Sequence, residues 1–224
     1  MTPVLLAWSG GKDSALALAR LREDPAWQVA GLLVTIDGAS ERVGAQFLRP
    51  AIVREQAARI GLPLFEARVP AGGNNDAYVA ALALALAEAR AWEPRLATLA
   101  FGDLFLADVR AWREAQLARL GWAACFPLWG DDTTQLARSL AGGAWDVRVC
   151  CVDTTQLAAD FCGRRFDAAL LADLPEGCDP CGENGEFHTC VLGGPLWQEP
   201  LRLDTGARHL HDGRFAWVDL IPVA

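Results

Sequence analysis

At 224 residues, 52% of them hydrophobic, the chain can form one large domain or a nucleotide-binding domain with a smaller appendage, and it is too apolar for disorder. Its net charge of -8 would repel a long polyanion such as tRNA, and no Lys/Arg run overrides that repulsion, so nucleic acid is not an expected partner. Seven cysteines, an odd number that includes the vicinal pair Cys150 and Cys151, do not form a secreted disulfide framework, and reduced thiols are expected.

Residues 3 to 8 read as a buried strand and 13 to 22 as a helix. The apolar start lacks a basic leader and a small-residue cleavage site, and no run approaches the roughly 18 to 20 apolar residues of a membrane span. A cytoplasmic protein without a signal peptide or membrane contact is therefore expected. WQVAGLLVTID (27 to 37) is a second strand, followed by a helix over 50 to 60, a short strand around Leu64 and an alanine-rich helix from Asp76 to Ala91. LATLAFGD (96 to 103) is another strand, 104 to 120 a helix with Arg110 and Glu114 four apart, and WAACFPLW (122 to 129) a fifth strand. Strict alternation of strands and helices predicts an α/β fold, a parallel sheet covered on both faces.

Beyond Gly130 the texture changes. A helix over 134 to 140 ends at Gly142 and Gly143, DVRVCCVD (146 to 153) is a strand, 166 to 173 is helical, and the tail is β-rich. The hexapeptide DTTQLA occurs at 132 to 137 and again at 153 to 158, each copy offering Asp and Thr as a helix N-cap. The expected organisation is an ATP-binding α/β domain over 1–128 and a smaller α+β domain over 129–224.

The polar knot SGGKDS, residues 9 to 14, lies between the first strand and the first helix. A loop running straight into a helix aims free backbone N–H groups at an anion. Gly10 and Gly11 clear side chains from the approach, Ser9 and Ser14 add hydroxyls, and Lys12 supplies charge. Lys12 is the only lysine in a chain with 19 arginines, which suggests a site wanting a compact point charge rather than a planar fork. The spacing matches neither G-x-x-x-x-G-K-[ST] nor G-x-G-x-x-G. The competing reading is a tight turn with Asp13 as a cap. Asp37 and Asp103 end strands, where ligands lie in such sheets, so ribose, Mg²⁺ or the activated substrate are their candidate contacts; for Asp103 a plain N-cap role competes.

Strand, SGGKDS and helix resemble the PP-loop of the N-type ATP pyrophosphatases in the adenine nucleotide alpha hydrolase superfamily, with Ser9, Gly10, Gly11, Lys12, Asp13 and Ser14 all matching. The resemblance implies a parallel five-stranded HUP-type, Rossmann-like sheet. It also implies cleavage of ATP between the α and β phosphates.

The second signal is CDPCGENGEFHTCV, residues 178 to 191. Asn184-Gly185 predicts a two-residue hairpin whose flanking Glu183 and Glu186 repel unless a cation, an amine or a proton lies between them; a plain solvated hairpin is the alternative. Together with SGGKDS, GENGEFHT resembles the signature GE-x-GE-[FY]-x-T of the diphthine-ammonia ligase family. FGD at 101 to 103, the helix with Arg110, and PLW at 127 to 129 fit the same family, here as a bacterial-type member. The resemblance implies Mg-ATP held by Ser9 to Ser14 with Asp37, Gly102 and Asp103. It implies an acceptor carboxylate and ammonia held by Gly182, Glu183, Asn184, Gly185, Glu186, His188 and Thr189, with Lys12, Asp13, Glu183 and Glu186 as catalytic groups. Expected partners are ATP, ammonia and a carboxylate-bearing small molecule or protein, with a homodimer admitted. The chain departs from relatives at Gln46, where a histidine is common. A PP-loop enzyme of tRNA modification or sulfur transfer, or a nucleotide sensor without turnover, is the alternative. Cys178, Cys181, His188 and Cys190 are zinc-type donors, but the His-x-Cys spacing is tight, and structural or substrate-facing roles are preferred.

Overall fold

The computed structural model describes residues 1–223. In chain order the first half contains β1 (Thr2–Ala7), α1 (Lys12–Glu23), β2 (Trp27–Asp37), β3 (Arg42–Val43), α2 (Pro50–Ile60), β4 (Leu64–Val69), α3 (Asn75–Trp92), β5 (Thr98–Ala100), α4 (Ala107–Arg119) and β6 (Ala123–Cys125). Five of these strands run parallel in the order β4-β2-β1-β5-β6, and the short β3 pairs antiparallel with the end of β2. The parallel α/β expectation holds.

The central strands are apolar runs because both faces are covered. Val4, Leu6, Leu32 and Val34 pack with Leu18 of α1 and Ile52 of α2, while Leu5, Leu33 and Leu99 pack with Leu82 and Leu86 of α3 and Leu117 of α4. From β1 the chain winds outward first through β2 and β4, then through β5 and β6. The strand order reverses at β1 and β5, and the crevice beyond their carboxyl ends is where such sheets bind ligands.

The second half contains α5 (Thr133–Gly142), β7 (Asp146–Asp153), α6 (Ala168–Asp173), β8 (Phe187–Gly193), β9 (Leu203–His211) and β10 (Phe215–Pro222). Its four strands form an antiparallel sheet in the order β8-β7-β10-β9. Val147, Val149, Val191 and Val218 of that sheet join the same hydrophobic cluster as Val4 and Leu6. At the outer edge, Arg208 pairs with Val218 and Thr205 with Leu220, so Gly206 and Ala207 both oppose Asp219. Such a bulge twists an edge away from pairing with other chains.

Several expectations need correction. The strands expected over 96 to 103 and 122 to 129 shrink to Thr98–Ala100 and Ala123–Cys125; beyond β5, Phe101, Gly102 and Asp103 leave the ladder to build the crevice wall. The helix cap before α4 is Leu106, not Asp103. In the first DTTQLA, Asp132 caps α5 by accepting the Gln135 N–H. In the second, buried Asp153 is occupied by Arg214, Thr155 and Gln156, and a turn forms instead of an α-helix. Asn184-Gly185 lies in a turn with no strand on its N-terminal side; the partner of β8 is β7, so there is no local hairpin. Among the described residues no helix is long and apolar enough to cross a membrane.

Candidate functional site

A cleft of about 720 Å³ opens where the fold predicts it, beyond β1 and β5. Its polar lining includes Ser9, Lys12, Asp13, Asp103 and Glu183, and its apolar lining Leu33, Val69, Tyr78, Leu99, Phe101 and Trp112. That mixture suits a ligand with both charged and apolar parts.

The loop after β1 is built by glycine. Gly10 has φ of +79°, and a Cβ there would meet Gln56 Oε1 at 2.9 Å. The Ser14 hydroxyl donates to the Gly11 carbonyl at 2.9 Å, and the Gly11 N–H donates to the Ser9 hydroxyl at 3.2 Å. The Lys12 N–H donates to the Thr189 hydroxyl at 3.0 Å, which brings a residue of β8 directly onto the loop. Gly102 closes against the start of α1, since a Cβ there would lie 2.7 Å from the Asp13 carbonyl carbon and oxygen.

Lys12 is buried, and its ammonium lies 2.8 Å from both carboxylate oxygens of Asp13. Burial is the largest single influence and pushes its pKa down, but Asp13, Cys181 and Glu183 together outweigh that penalty and hold it above the ordinary lysine value. A permanent positive charge is thereby kept at the N-terminal end of α1.

Glu183 faces Lys12 from the C-terminal half. Its Oε1 accepts the Leu104 N–H at 2.7 Å, and burial, only partly offset by that bond, raises its pKa to about 7. Asp103 pairs with Arg113, whose Nε is 3.0 Å from Oδ2. That guanidinium stacks over Phe101 at 4.3 Å. His188 also lines the cleft, with its pKa lowered to about 4 by burial and by the Lys12 charge, so its imidazole is neutral near pH 7.

Of the residues singled out from sequence, Ser9, Lys12, Asp13, Ser14, Gly102, Asp103, Gly182, Glu183, His188 and Thr189 line one cleft, as does Gln46. Gly10 and Gly11 form the backbone behind it. Asp37 does not reach the cleft: it accepts the Ser40 N–H and hydroxyl at 2.7 and 2.6 Å and closes the turn after β2. Asn184, Gly185 and Glu186 do not line it either. Glu186 turns inward, accepting the Asp179 N–H at 2.9 Å and Asn184 Nδ2 at 3.2 Å, so the two glutamates diverge instead of sharing a cation. Among the described residues no three His, Cys, Asp or Glu side chains converge to hold a metal ion, and Cys178, Cys181, His188 and Cys190 do not form a zinc site. Cys190 is fully buried, and the Cys181 thiol donates to the Thr133 carbonyl at 3.3 Å.

Residues of the site that sequence did not indicate include Arg113 and Gln56. Arg113 lies in the second turn of α4, ten positions after Asp103, in a helix with other arginines. Gln56 is one polar residue on an otherwise ordinary amphipathic helix, yet it is fully buried. Only its inward position in the helical period, beside Ile52, Val53 and Ile60, could have marked it.

Comparison with known families finds two matches. A model described as the diphthamide synthase N-terminal domain matches residues 2–123, and one described as the diphthamide synthase C-terminal domain matches residues 132–219. Among curated proteins none matches the chain.

Proposed function

Because the chain belongs to the diphthamide synthase family, we propose that it is an ATP-dependent carbon–nitrogen ligase of the AMP-forming, ATP pyrophosphatase type, acting in the manner of a diphthine-ammonia ligase. Residues 1–128 bind the nucleotide in this reading, residues 129–224 present the acceptor, and the work is cytoplasmic.

In the first step an acceptor carboxylate oxygen attacks the α-phosphorus of ATP. The bond from that phosphorus to the bridging oxygen breaks, and pyrophosphate leaves. Lys12 stands where charge builds on the departing pyrophosphate, an effective placement for electrostatic stabilisation, while the Gly11 and Lys12 N–H groups hold the loop in shape through the Ser9 and Thr189 hydroxyls. Lys12 releases Asp13 to meet the phosphates, and Asp13 is then free to orient the loop. Glycine at 10, 11 and 102 lets the loop pack closely on its own neighbours, since a Cβ would press on Gln56, on the Thr189 carbonyl and on the Asp13 carbonyl respectively. Mg²⁺ would supply charge neutralisation on the phosphates, and Asp13 is the loop carboxylate that would hold it.

In the second step ammonia attacks the acyl carbon of the adenylated carboxylate, loses a proton, and expels AMP to leave an amide. A carboxylate titrating near 7 is suited to take a proton from ammonium at neutral pH, and Glu183 is that group. Glu186 holds the turn that carries Glu183 rather than touching the reacting atoms.

The observation that supports this reading most directly is the convergence of Lys12 from the first half and Glu183 from the second on one cleft at the switch point of the sheet. The test supplies Mg-ATP, ammonium and fractionated cell extract and identifies the nucleotide product. AMP and pyrophosphate, lost in Lys12→Ala, are expected. ADP and phosphate would overturn the reading, and tight ATP binding without turnover would favour a sensor.

A further inference from the structure

Gln56 lies at 0% exposure beneath the loop that follows β1, and all its polar atoms are engaged. Its Oε1 accepts Trp8 Nε1 at 2.9 Å. Its Nε2 donates to the Gly10 carbonyl at 3.1 Å and to the Val191 carbonyl at 2.7 Å. The Val191 N–H donates to the same Gly10 carbonyl at 2.9 Å, which fills both lone pairs of that oxygen. One amide therefore joins the end of β1, the left-handed glycine of the loop and strand β8.

We propose that Gln56 is a positioning residue for the phosphate-binding loop, the joint through which β8 of the C-terminal half sets the conformation of Gly10 to Lys12. The proposal rests on the reading of that loop as a nucleotide phosphate site. Two observations make it more than ordinary packing. First, a polar side chain without solvent must have its bonds met, and an apolar residue of equal size would serve if only volume mattered. Second, the joint continues to the next donors of the loop. Two residues before Val191, Thr189 accepts the Lys12 N–H, so β8 grips the loop on both sides of Gly11. Displacing β8 would take the Val191 N–H from the Gly10 carbonyl, leaving it on Gln56 alone, and would free the Lys12 N–H at the same time, loosening the orientation of the loop. Docking of the C-terminal half is thus a condition for phosphate affinity.

The cleft also has apolar lining residues, Leu33, Val69 and Leu99 among them, whose side chains take no part in the Gln56 amide bonds. That separation gives the test its discrimination. Calorimetric affinities for α,β-methylene-ATP and for adenosine are measured on the full chain, on Gln56→Met and on Gln56→Glu. In each variant the Val191 carbonyl loses the Gln56 donor and the Gly10 carbonyl keeps only the Val191 N–H, and affinity for the triphosphate should fall by about tenfold or more while adenosine affinity stays within about twofold. Thr189→Val, which removes the acceptor of the Lys12 N–H, should produce the same selective loss, with Thr189→Ser restoring it. These variants keep the question answerable if the Gln56 variants fold poorly. Equal weakening of both ligands would assign Gln56 to general stability and overturn the proposal, as would unchanged triphosphate affinity. If the unaltered protein binds neither ligand, the nucleotide reading itself fails, a different outcome from either.

Discussion

Glu183 and Leu104 are 79 positions apart, and the carboxylate of one accepts the backbone N–H of the other at 2.7 Å across the mouth of the cleft. The bond ties the C-terminal half to the loop after β5 and holds the carboxyl facing Lys12 and Asp13. Burial raises its pKa from 4.5 to about 7. Between those values the unfolded chain has lost the proton and the native protein retains it, so stability falls as pH rises from 4.5 towards 7 and is flat for this group above that. Glu183→Gln keeps an oxygen for Leu104 and removes the titration. Urea midpoints at pH 5 and pH 8 should show the variant gaining on the unaltered protein as pH rises. AMP formation should lose its inflection near pH 7 in the same variant. A gap in stability that does not change with pH would refute the assignment.

Gly102 and Gly61 separate two reasons for glycine. At Gly102 a Cβ would press to 2.7 Å on the backbone of Asp13, which cannot move without shifting the nucleotide loop. Gly102→Ala should cost about 1–3 kcal/mol, an overpacking penalty, and should abolish measurable nucleotide binding. Gly61 ends α2 with φ of +78° and has nothing within 4 Å of a built Cβ. Gly61→Ala should cost about 1 kcal/mol through the left-handed backbone alone and leave nucleotide affinity unchanged. Chemical denaturation and calorimetry on the pair test both halves of this contrast.

The contrast also shows which features were legible in the sequence. Alternating apolar runs and helical periods marked the five parallel strands, and SGGKDS marked the loop, because both are local patterns whose chemistry does not depend on what lies across the fold. The two copies of DTTQLA show the limit. Asp132 is exposed to its own helix and caps it, whereas Asp153 is buried against Arg214, 61 positions away, and that ion pair overrides the local preference. Glu183 and Glu186 looked equivalent for the same reason: their divergence is decided by Leu104 on one side and Asp179 on the other. Gln56 carried no signal beyond its inward place in the helical period, since its partners come from residues 8, 10 and 191.

Asp219 of β10 clasps Arg42 at 2.7 Å and also pairs with Arg49, so it fastens the segment whose Gly44 and Gln46 wall the cleft. Phe47, between them, stacks on Trp217 at 5.5 Å. Hydrogen bonds from Arg49 and Arg42 lower the Asp219 pKa from 3.8 to about 2. The stabilisation is therefore complete above 3.8 and is lost as pH falls through 2, so it is fully present at neutral pH. Asp219→Asn should free the segment. Limited trypsin digestion should then cut after Arg42 about tenfold faster than in the unaltered protein, because local opening governs cleavage. Arg49 precedes Pro50 and stays resistant, which makes the site of the cut diagnostic. Unchanged cleavage at Arg42 would show that aromatic stacking alone holds the segment.

The seven cysteines provide a test of the whole C-terminal half. Burial pushes the thiols of Cys151, Cys181 and Cys190 up to about 12 and that of Cys162 to about 11. Only Cys125 and Cys178 are partly exposed, and their pKa values are raised as well. Thiolate is the reactive form, so native protein at pH 8 should react with a disulfide reagent slowly and at no more than these two positions, and all seven should react at once in urea. Zinc held by Cys178, Cys181, His188 and Cys190 would change this outcome in two ways. It would hold those three sulfurs as thiolates, and it would shield Cys178 until a chelator was added. Stoichiometric zinc by elemental analysis, together with chelator-dependent labelling of Cys178, would contradict the separation of these four side chains. Slow labelling of Cys125 and Cys178, indifferent to chelator, is the result this arrangement requires.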